Sequence, residues 1–364
     1  MRLVEIMLTA SCLATGALSA SSTSSADHYQ SSAEAALTKL QTWYNEDTGQ
    51  WKSYTPSWWQ SANQLTTLLD MVRLGSSEAA KIADTVVPNT FHRNGDHAFK
   101  NAYYDDEGWW AVAWMRAYEV THNKDYLETA EGLFKDMTGG WGTNCSADGG
   151  LWWDKDHTDI SPISNTLFIQ VAAWLANRVP EDRKQYYADW AVKAWGIFRG
   201  SEMYWPEKHL VGGGIDIETC HTRETTWGYT YYDGTLISAL CGLTVATGKE
   251  EYRDEAHLIA AAVMDTMSED GELQEQHISQ AHPGQAAPQW KGIFMRGLLH
   301  LHQQSPRPEY KAFAQKSADS ILANDKNDEG ALGPDWNGPF YGPANASPHS
   351  SAMDAVVAAW GASM

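Results

Sequence analysis

The strongest constraint on the fold of this chain is an alternation between two kinds of helical segment. Apolar residues recur at three- and four-residue spacing over 29–44, 57–75, 76–91, 107–121, 125–137, 161–179, 182–199, 230–247, 250–268, 289–302, 307–323 and 348–362. That spacing predicts twelve helices. Every second one, beginning with 57–75, is apolar nearly all round and must be buried; the others keep a polar face and belong outside. Gly75 and Gly248 follow two of the buried segments as C-terminal caps. Strand signals are nearly absent. Six inner helices surrounded by six outer ones make an all-α, closed (α/α)6 barrel. An open solenoid would want near-equal repeats and distinct capping units. These repeats, at roughly fifty to seventy residues, are unequal.

The connections carry a second message. Those from an inner to the next outer helix are short. Those from an outer to the next inner helix are long and rich in Gly, Trp, Tyr, Asp and Asn. All the long loops therefore emerge at one end of the barrel, where binding and catalysis are expected. At these junctions stand Trp58 and Trp59, Asp105 and Asp106, Trp152 and Trp153, Tyr231 to Asp233, and Trp290 with Lys291.

The stretch Asn101 to Thr121 holds the candidate chemistry. Asp105 and Asp106 follow two tyrosines and precede Gly108-Trp109-Trp110, at the start of a helix whose Trp110, Ala113, Trp114 and Ala117 face inward. Acidic residues are favoured in a first helical turn, and an Asp-Asp pair alone is usually a cap with a solvated charge. Here the pair sits on the long-loop face among aromatic rings, an arrangement suited to acid/base work on a sugar. Two carboxyls in one small site disfavour double ionisation, so one is expected to stay protonated while the other is charged. No metal or cofactor is expected, and no spacing resembles a zinc site.

Composition narrows the partners. With 46 acidic and 26 basic residues the formal charge is -20, which disfavours nucleic acid and anionic membranes. A neutral substrate fits better. The chain holds 18 tryptophans; indole rings stack on flat apolar faces such as those of sugars. Trp114, Trp174 and Trp360 fall inside apolar helices and are expected in the core. Trp59, Trp153 and Tyr232 begin inner helices at the mouth and are expected to touch sugar. Asn63, Tyr104, Trp110, Asn165, Asp233 and Lys291 complete the expected substrate-binding set.

Residues 1–26 read as a secretory signal with a disordered remnant, from Arg2, the apolar run to Leu18 and the small residues Ala17, Ser19 and Ala20. Residues 27–364 then form a single catalytic domain, expected to be secreted, to lack a membrane span and to act as a monomer. Without Cys12, the cysteines are Cys145, Cys220 and Cys241. The odd count allows at most one internal disulfide. Cys241 lies in a helical run; Cys145 and Cys220 lie in loop-like segments and are the favoured pair, a choice the sequence does not force.

Several motifs together resemble glycoside hydrolase family 76, the α-1,6-mannanases. They are YYDDEGWWAVAWMRAYEVT at 103–121, GGLWWD at 149–154, ISNTLF at 163–168, QWKGIF at 289–294 and the register of WWQSAN at 58–63. The resemblance covers essentially the whole mature chain. It implies an (α/α)6 barrel and retaining hydrolysis of α-1,6-linked mannan, with Asp105 as nucleophile and Asp106 as acid/base; cleavage inside the chain is the expected mode, though the sequence leaves cleavage at chain ends open. One departure is visible: Tyr231-Tyr232-Asp233-Gly234 stands where the family often has Tyr-Asn-Gln-Gly, which would add a carboxylate near a sugar subsite. The rivals are a cell-wall mannan transglycosylase, which shares the covalent chemistry, and a non-catalytic mannan-binding protein, against which the retained aspartates argue.

Overall fold

The computed structural model describes residues 24–53, 58–146, 148–223, 228–275 and 286–364. Among them are twelve α-helices. The outer helices are α1 (Ser25–Gln41), α3 (Ser77–Asn94), α5 (Lys124–Met137), α7 (Glu181–Arg199), α9 (Glu251–Thr266) and α11 (Pro308–Asn324). The inner ones are α2 (Trp58–Arg73), α4 (Tyr104–Thr121), α6 (Pro162–Ala176), α8 (Thr230–Thr247), α10 (Trp290–Gln304) and α12 (Ala346–Gly361). Each inner helix packs on the next, and α12 packs on α2, so the ring is closed. The fold is the expected (α/α)6 barrel.

The burial pattern follows the sequence reading. Every residue of α6 is buried, and α12 is buried from Ala346 to Trp360. By contrast α1 buries only Tyr29, Ala33, Ala36, Leu37 and Leu40, one stripe at helical spacing. Side-chain caps start several helices: Ser24 and Asp27 form a reciprocal capping box on α1, Ser76 caps α3, Asn123 caps α5 and Asn345 caps α12. The box starts α1 at Ser25, inside the segment read as signal and remnant. Residues 1–23, which carry most of that reading, lie outside the described residues. Between α8 and α10 the backbones touch. A Cβ on Gly234 would lie 2.4 Å from Phe294 Cα, and one on Gly297 would lie 2.3 Å from the Gly234 carbonyl oxygen, so both positions require glycine.

Three long connections open with two-residue antiparallel hairpins that the periodicity did not predict. These are β1 (Tyr44–Asn45) with β2 (Gln50–Trp51), β3 (Tyr204–Trp205) with β4 (Leu210–Val211), and β5 (Ser268–Glu269) with β6 (Glu272–Leu273). Each follows an outer helix. A Cys145–Cys220 disulfide ties the α5–α6 connection to the α7–α8 connection, and Asn144 Nδ2 donates to the Ile217 carbonyl beside it (2.7 Å). Cys241 is a buried free thiol. No helix among the described residues is long and apolar enough to cross a membrane.

The barrel interior is polar below the mouth. Arg296 donates to Asn63 Oδ1 (2.9 Å) and to Asp354 Oδ2 (2.8 Å), and Thr67 also donates to Asp354. Deeper, Arg116 pairs with Asp70 (3.0 Å) and Glu119 (2.8 Å). Burial pushes Glu119 up, but Arg116, Arg178 and Arg73 outweigh it and hold its carboxyl at about 2.

Trp114 is fully buried among Phe91, Phe99, Trp110 and Tyr126, and Trp174 and Trp360 are buried as expected. Trp114→Ala should cost about 3–5 kcal/mol in urea unfolding. Trp59→Ala, at the half-exposed mouth, should cost much less. The reverse order would refute this division of the aromatic residues.

Candidate active site

Each inner helix is entered from a long connection, so the N-termini of all six point to the same end. The partial positive charge of those termini favours anionic groups there. At that end α4 begins without a side-chain cap on Tyr103. Its first-turn amides are met in other ways. The Tyr104 N–H donates to the Trp153 carbonyl (2.9 Å), and the Asp106 N–H donates to Asp105 Oδ1 (3.0 Å). The pair thus lies in the first helical turn rather than in the preceding loop.

The α5–α6 connection docks against the segment leading into α4. Tyr103 bridges Asp154, and the Lys155 N–H donates to the Ala102 carbonyl (2.9 Å). This short antiparallel contact brings two side chains to the first turn of α4. Trp153 Nε1 donates to Asp105 Oδ2 (3.0 Å), and Lys155 Nζ pairs with Glu107 Oε1 (2.7 Å). Asn165 holds the same connection from below, accepting from the Leu151 N–H (2.8 Å) and donating to the Leu151 and Ser161 carbonyls (3.0 Å each).

The two carboxyls differ in environment. Burial raises the Asp105 pKa, while hydrogen bonds from the Trp153 indole and the Asp106 amide work against that rise. Burial raises Asp106 further, the neighbouring Asp105 charge adds to it, and only the Asn101 amide opposes. Asp105 is therefore the group that ionises first, and Asp106 the group that keeps its proton. That asymmetry places a more readily ionised carboxyl beside one that holds its proton more tightly.

Asp105 opens into a cavity of about 260 Å³ at the mouth. Aromatic rings make its walls: Trp59 stacked on Trp109 (6.2 Å), Tyr231 stacked on Trp290 (4.8 Å), with Trp153 and Tyr232. Asp159, Ser161 and Ile163 complete one side. Asp106 stands beside the cavity rather than in its lining. A larger cavity, about 450 Å³, opens at the opposite end among Arg73, Arg116, Arg178 and Glu119. Its one carboxylate is held by guanidinium groups, so it offers no acid/base pair.

The model of glycosyl hydrolase family 76 matches residues 28–362. The chain belongs to that family. Among solved structures, the Lin0763 protein of Listeria innocua is 25% identical, with a TM-score of 0.80 over 91% of this chain and 96% of that one. The GH76A α-1,6-mannanase of Salegentibacter sp. HEL1_6 is also 25% identical, with a TM-score of 0.78 over 91% and 98%. An inactive variant of that mannanase, with two consecutive aspartates replaced, has been solved with α-1,6-mannotetrose (24% identity, TM-score 0.78, 91% and 98% covered). A mannan endo-1,6-α-mannosidase, DCW1, of Candida glabrata is 23% identical over 227 residues, which are 55% of this chain and 48% of that protein. This chain's match thus spans about half the length of that curated relative.

In this family 76 chain the expected substrate-binding residues divide. Trp59, Trp153 and Tyr232 line the cavity with Asp105. The other six do not reach its lining. Trp110 is fully buried against Trp58, Phe99 and Trp114, because its position on α4 faces the core rather than the mouth. Tyr104 is buried under Lys155, whose Nζ lies 5.7 Å from its ring. Asn63 serves the Arg296 network and Asn165 the Leu151 backbone. Asp233 is fully buried and accepts from the Val211 N–H (2.9 Å), so the family departure at this position holds the β3–β4 hairpin and adds no charge to the cavity. Lys291 is buried over the Trp336 ring (4.3 Å), and burial lowers its ammonium to about 8 despite Asp335 and Asp325.

Sequence reasoning did not single out Trp109, Asp159 or Asn101. Trp109 lies within the 103–121 motif, four residues after Asp105, so helical spacing alone places the two on one face. Asp159 and Asn101 had no local signal.

The raised Asp106 pKa has a stability consequence. Asp106 titrates higher in the folded chain than in the unfolded one, so ionisation costs the folded state more. That cost is absent below the unfolded value of about 3.9 and present above it. Asp106→Asn should therefore raise the Tm relative to the parent at about pH 7, and the gap should close below about pH 4. A gap of equal size at every pH would overturn the assignment.

Proposed function

We propose that this protein is a secreted, retaining glycoside hydrolase that cleaves inside α-1,6-linked mannan chains and works as a monomer. The observation that carries the reading is the unequal carboxyl pair at the mouth of an aromatic cavity. A hexose in the cavity would lie against the Trp59–Trp109 and Tyr231–Trp290 faces. Asp105, which opens into it, attacks the anomeric carbon. The glycosidic carbon–oxygen bond breaks, and the departing oxygen takes the Asp106 proton at the cavity edge. In the second half a water attacks the same carbon, Asp106 takes its proton, and the ester to Asp105 breaks. Two inversions retain the configuration.

The linkage rests on relatives. The Salegentibacter protein is described as an α-1,6-mannanase and the Candida protein as a mannan endo-1,6-α-mannosidase. Export rests on the sequence of residues 1–26 and on the Cys145–Cys220 disulfide, which suits an oxidising compartment. The same covalent intermediate passed to a sugar hydroxyl would amount to transglycosylation.

Two experiments test this. With debranched α-1,6-mannan, internal cleavage yields a ladder of short oligosaccharides, whereas products larger than the substrate would favour transfer. Asp105→Asn and Asp106→Asn should each lower hydrolysis of mannan by at least about a hundredfold, the usual worth of a catalytic acid or base. They should differ on a substrate with an activated leaving group. Azide should restore turnover of Asp106→Asn with retained configuration, because azide needs no general base. In Asp105→Asn it should give inverted product. Near-normal activity of both variants on mannan would sink the reading, and opposite stereochemistry would exchange the roles.

A further inference from the structure

Among the described residues, the Asp106 carboxyl takes one side-chain hydrogen bond. Asn101 Nδ2 donates to Asp106 Oδ2 at 2.6 Å. Asn101 is itself fixed at two further points. Its side-chain oxygen accepts from the Tyr103 N–H (2.9 Å), and its own N–H donates to Glu107 Oε1 (3.2 Å). The same Glu107 oxygen accepts from Lys155 Nζ (2.7 Å), and Lys155 also pairs with Asp136 (2.7 Å). Asp136 pairs in turn with Lys100, the residue before Asn101 (2.8 Å). Glu107 is wholly buried and Asp136 is half-buried. The chain thus runs from two lysines through two carboxylates to one amide, and that amide ends on Asp106.

We propose that Asn101, clamped by the Glu107–Lys155 ion pair, is the positioning residue that lets Asp106 give its proton in one half of the reaction and take one in the other. An acid/base must be held in one orientation through both steps while its charge changes. An amide N–H suits this task because it donates to the carboxylate and still tolerates the acid, without adding a charge. A lysine in its place would hold Asp106 ionised and prevent the first step. The structure instead keeps Lys155 one residue further on, spent on Glu107. The charged groups around Asp106 are Asp105 and Glu107 on α4, with Asp154 and Lys155 on the α5–α6 connection and Asp136 on α5 behind them. Among the described groups whose influence on Asp106 is resolved, Asn101 alone favours its ionised form.

This inference rests on Asp106 being the acid/base, so the test includes Asp106→Asn as a reference. Asn101→Ala removes the donor. The ionised Asp106 then loses its stabilising contact, and the basic limb of the kcat/KM profile should move to higher pH while the acidic limb, set by Asp105, stays. At neutral pH, kcat on mannan should fall roughly 10- to 100-fold, the worth of one hydrogen bond to a charged group. With an activated leaving group, azide should recover the lost turnover with retained configuration. Asn101→Asp is nearly isosteric and keeps the fold testable if the alanine variant is unstable. It replaces the donor with a second carboxyl and should move the basic limb further in the same direction. If Asp106→Asn shows azide rescue but both Asn101 variants keep the parental basic limb, or lose activity equally at every pH without rescue, Asn101 is only structural and the inference fails alone. If Asp106→Asn is not rescued, the acid/base assignment fails first.

Discussion

A helix that is apolar around its whole circumference has no face to offer water. The fold depends on that constraint. α6 buries all its residues and α12 nearly all, so each must be covered on every side. A closed ring of such helices, jacketed by helices with one apolar stripe, satisfies all of them at once. Closure also leaves no terminal helix exposed, which an open array would require. Where two inner helices meet most closely, at Gly234 and Gly297, the absence of side chains lets their backbones touch.

Closure has an electrostatic consequence. Six inner helices entered from the same side bring six N-termini to one mouth and six C-termini to the other. The charged side chains follow. Asp105 and Asp106 stand in the first turn of α4, whereas Arg73 ends α2 and Arg178 follows α6, where it donates to the Trp174 carbonyl (2.8 Å). Buried carboxylates at the mouth would otherwise be driven fully to their neutral form. The Trp153 indole and the first-turn amides work against burial at Asp105. At Asp106 the Asn101 amide stands against burial and the charges of Asp105 and Glu107. Two chemically identical side chains, adjacent in sequence, are thereby given different proton affinities.

The site also depends on how its loops are braced. Trp153 reaches Asp105 because residues 153–155 pair with 102–104, and because Asn165 grips Leu151. Asp159 joins Arg223, and the disulfide joins Cys145 to Cys220, so the α5–α6 and α7–α8 connections form one wall. A long loop fixed at several points can hold an indole nitrogen 3.0 Å from a carboxylate; one fixed only at its ends could not.

Periodicity by itself determined the twelve helices, which of them lie inside, and the end of the barrel at which the long loops gather. Those are consequences of local pattern and burial, which act within a few residues. The aspartate pair was legible for the same reason, because its place at a helix start is local. Junction position also brought out Trp59, Trp153 and Tyr232. Asp233 and Lys291 stand at equivalent junctions but turn inward. Whether a junction residue faces the cavity or the core depends on helix rotation and on what the neighbouring loop presents. The sequence carries no mark of either. The tertiary structure alone decided that Asp105 meets Trp153, forty-eight residues away, and that Asp106 meets Asn101 rather than a cation. The difference in proton affinity between the two aspartates arises from those contacts, and contacts between distant segments exist only once the ring has closed.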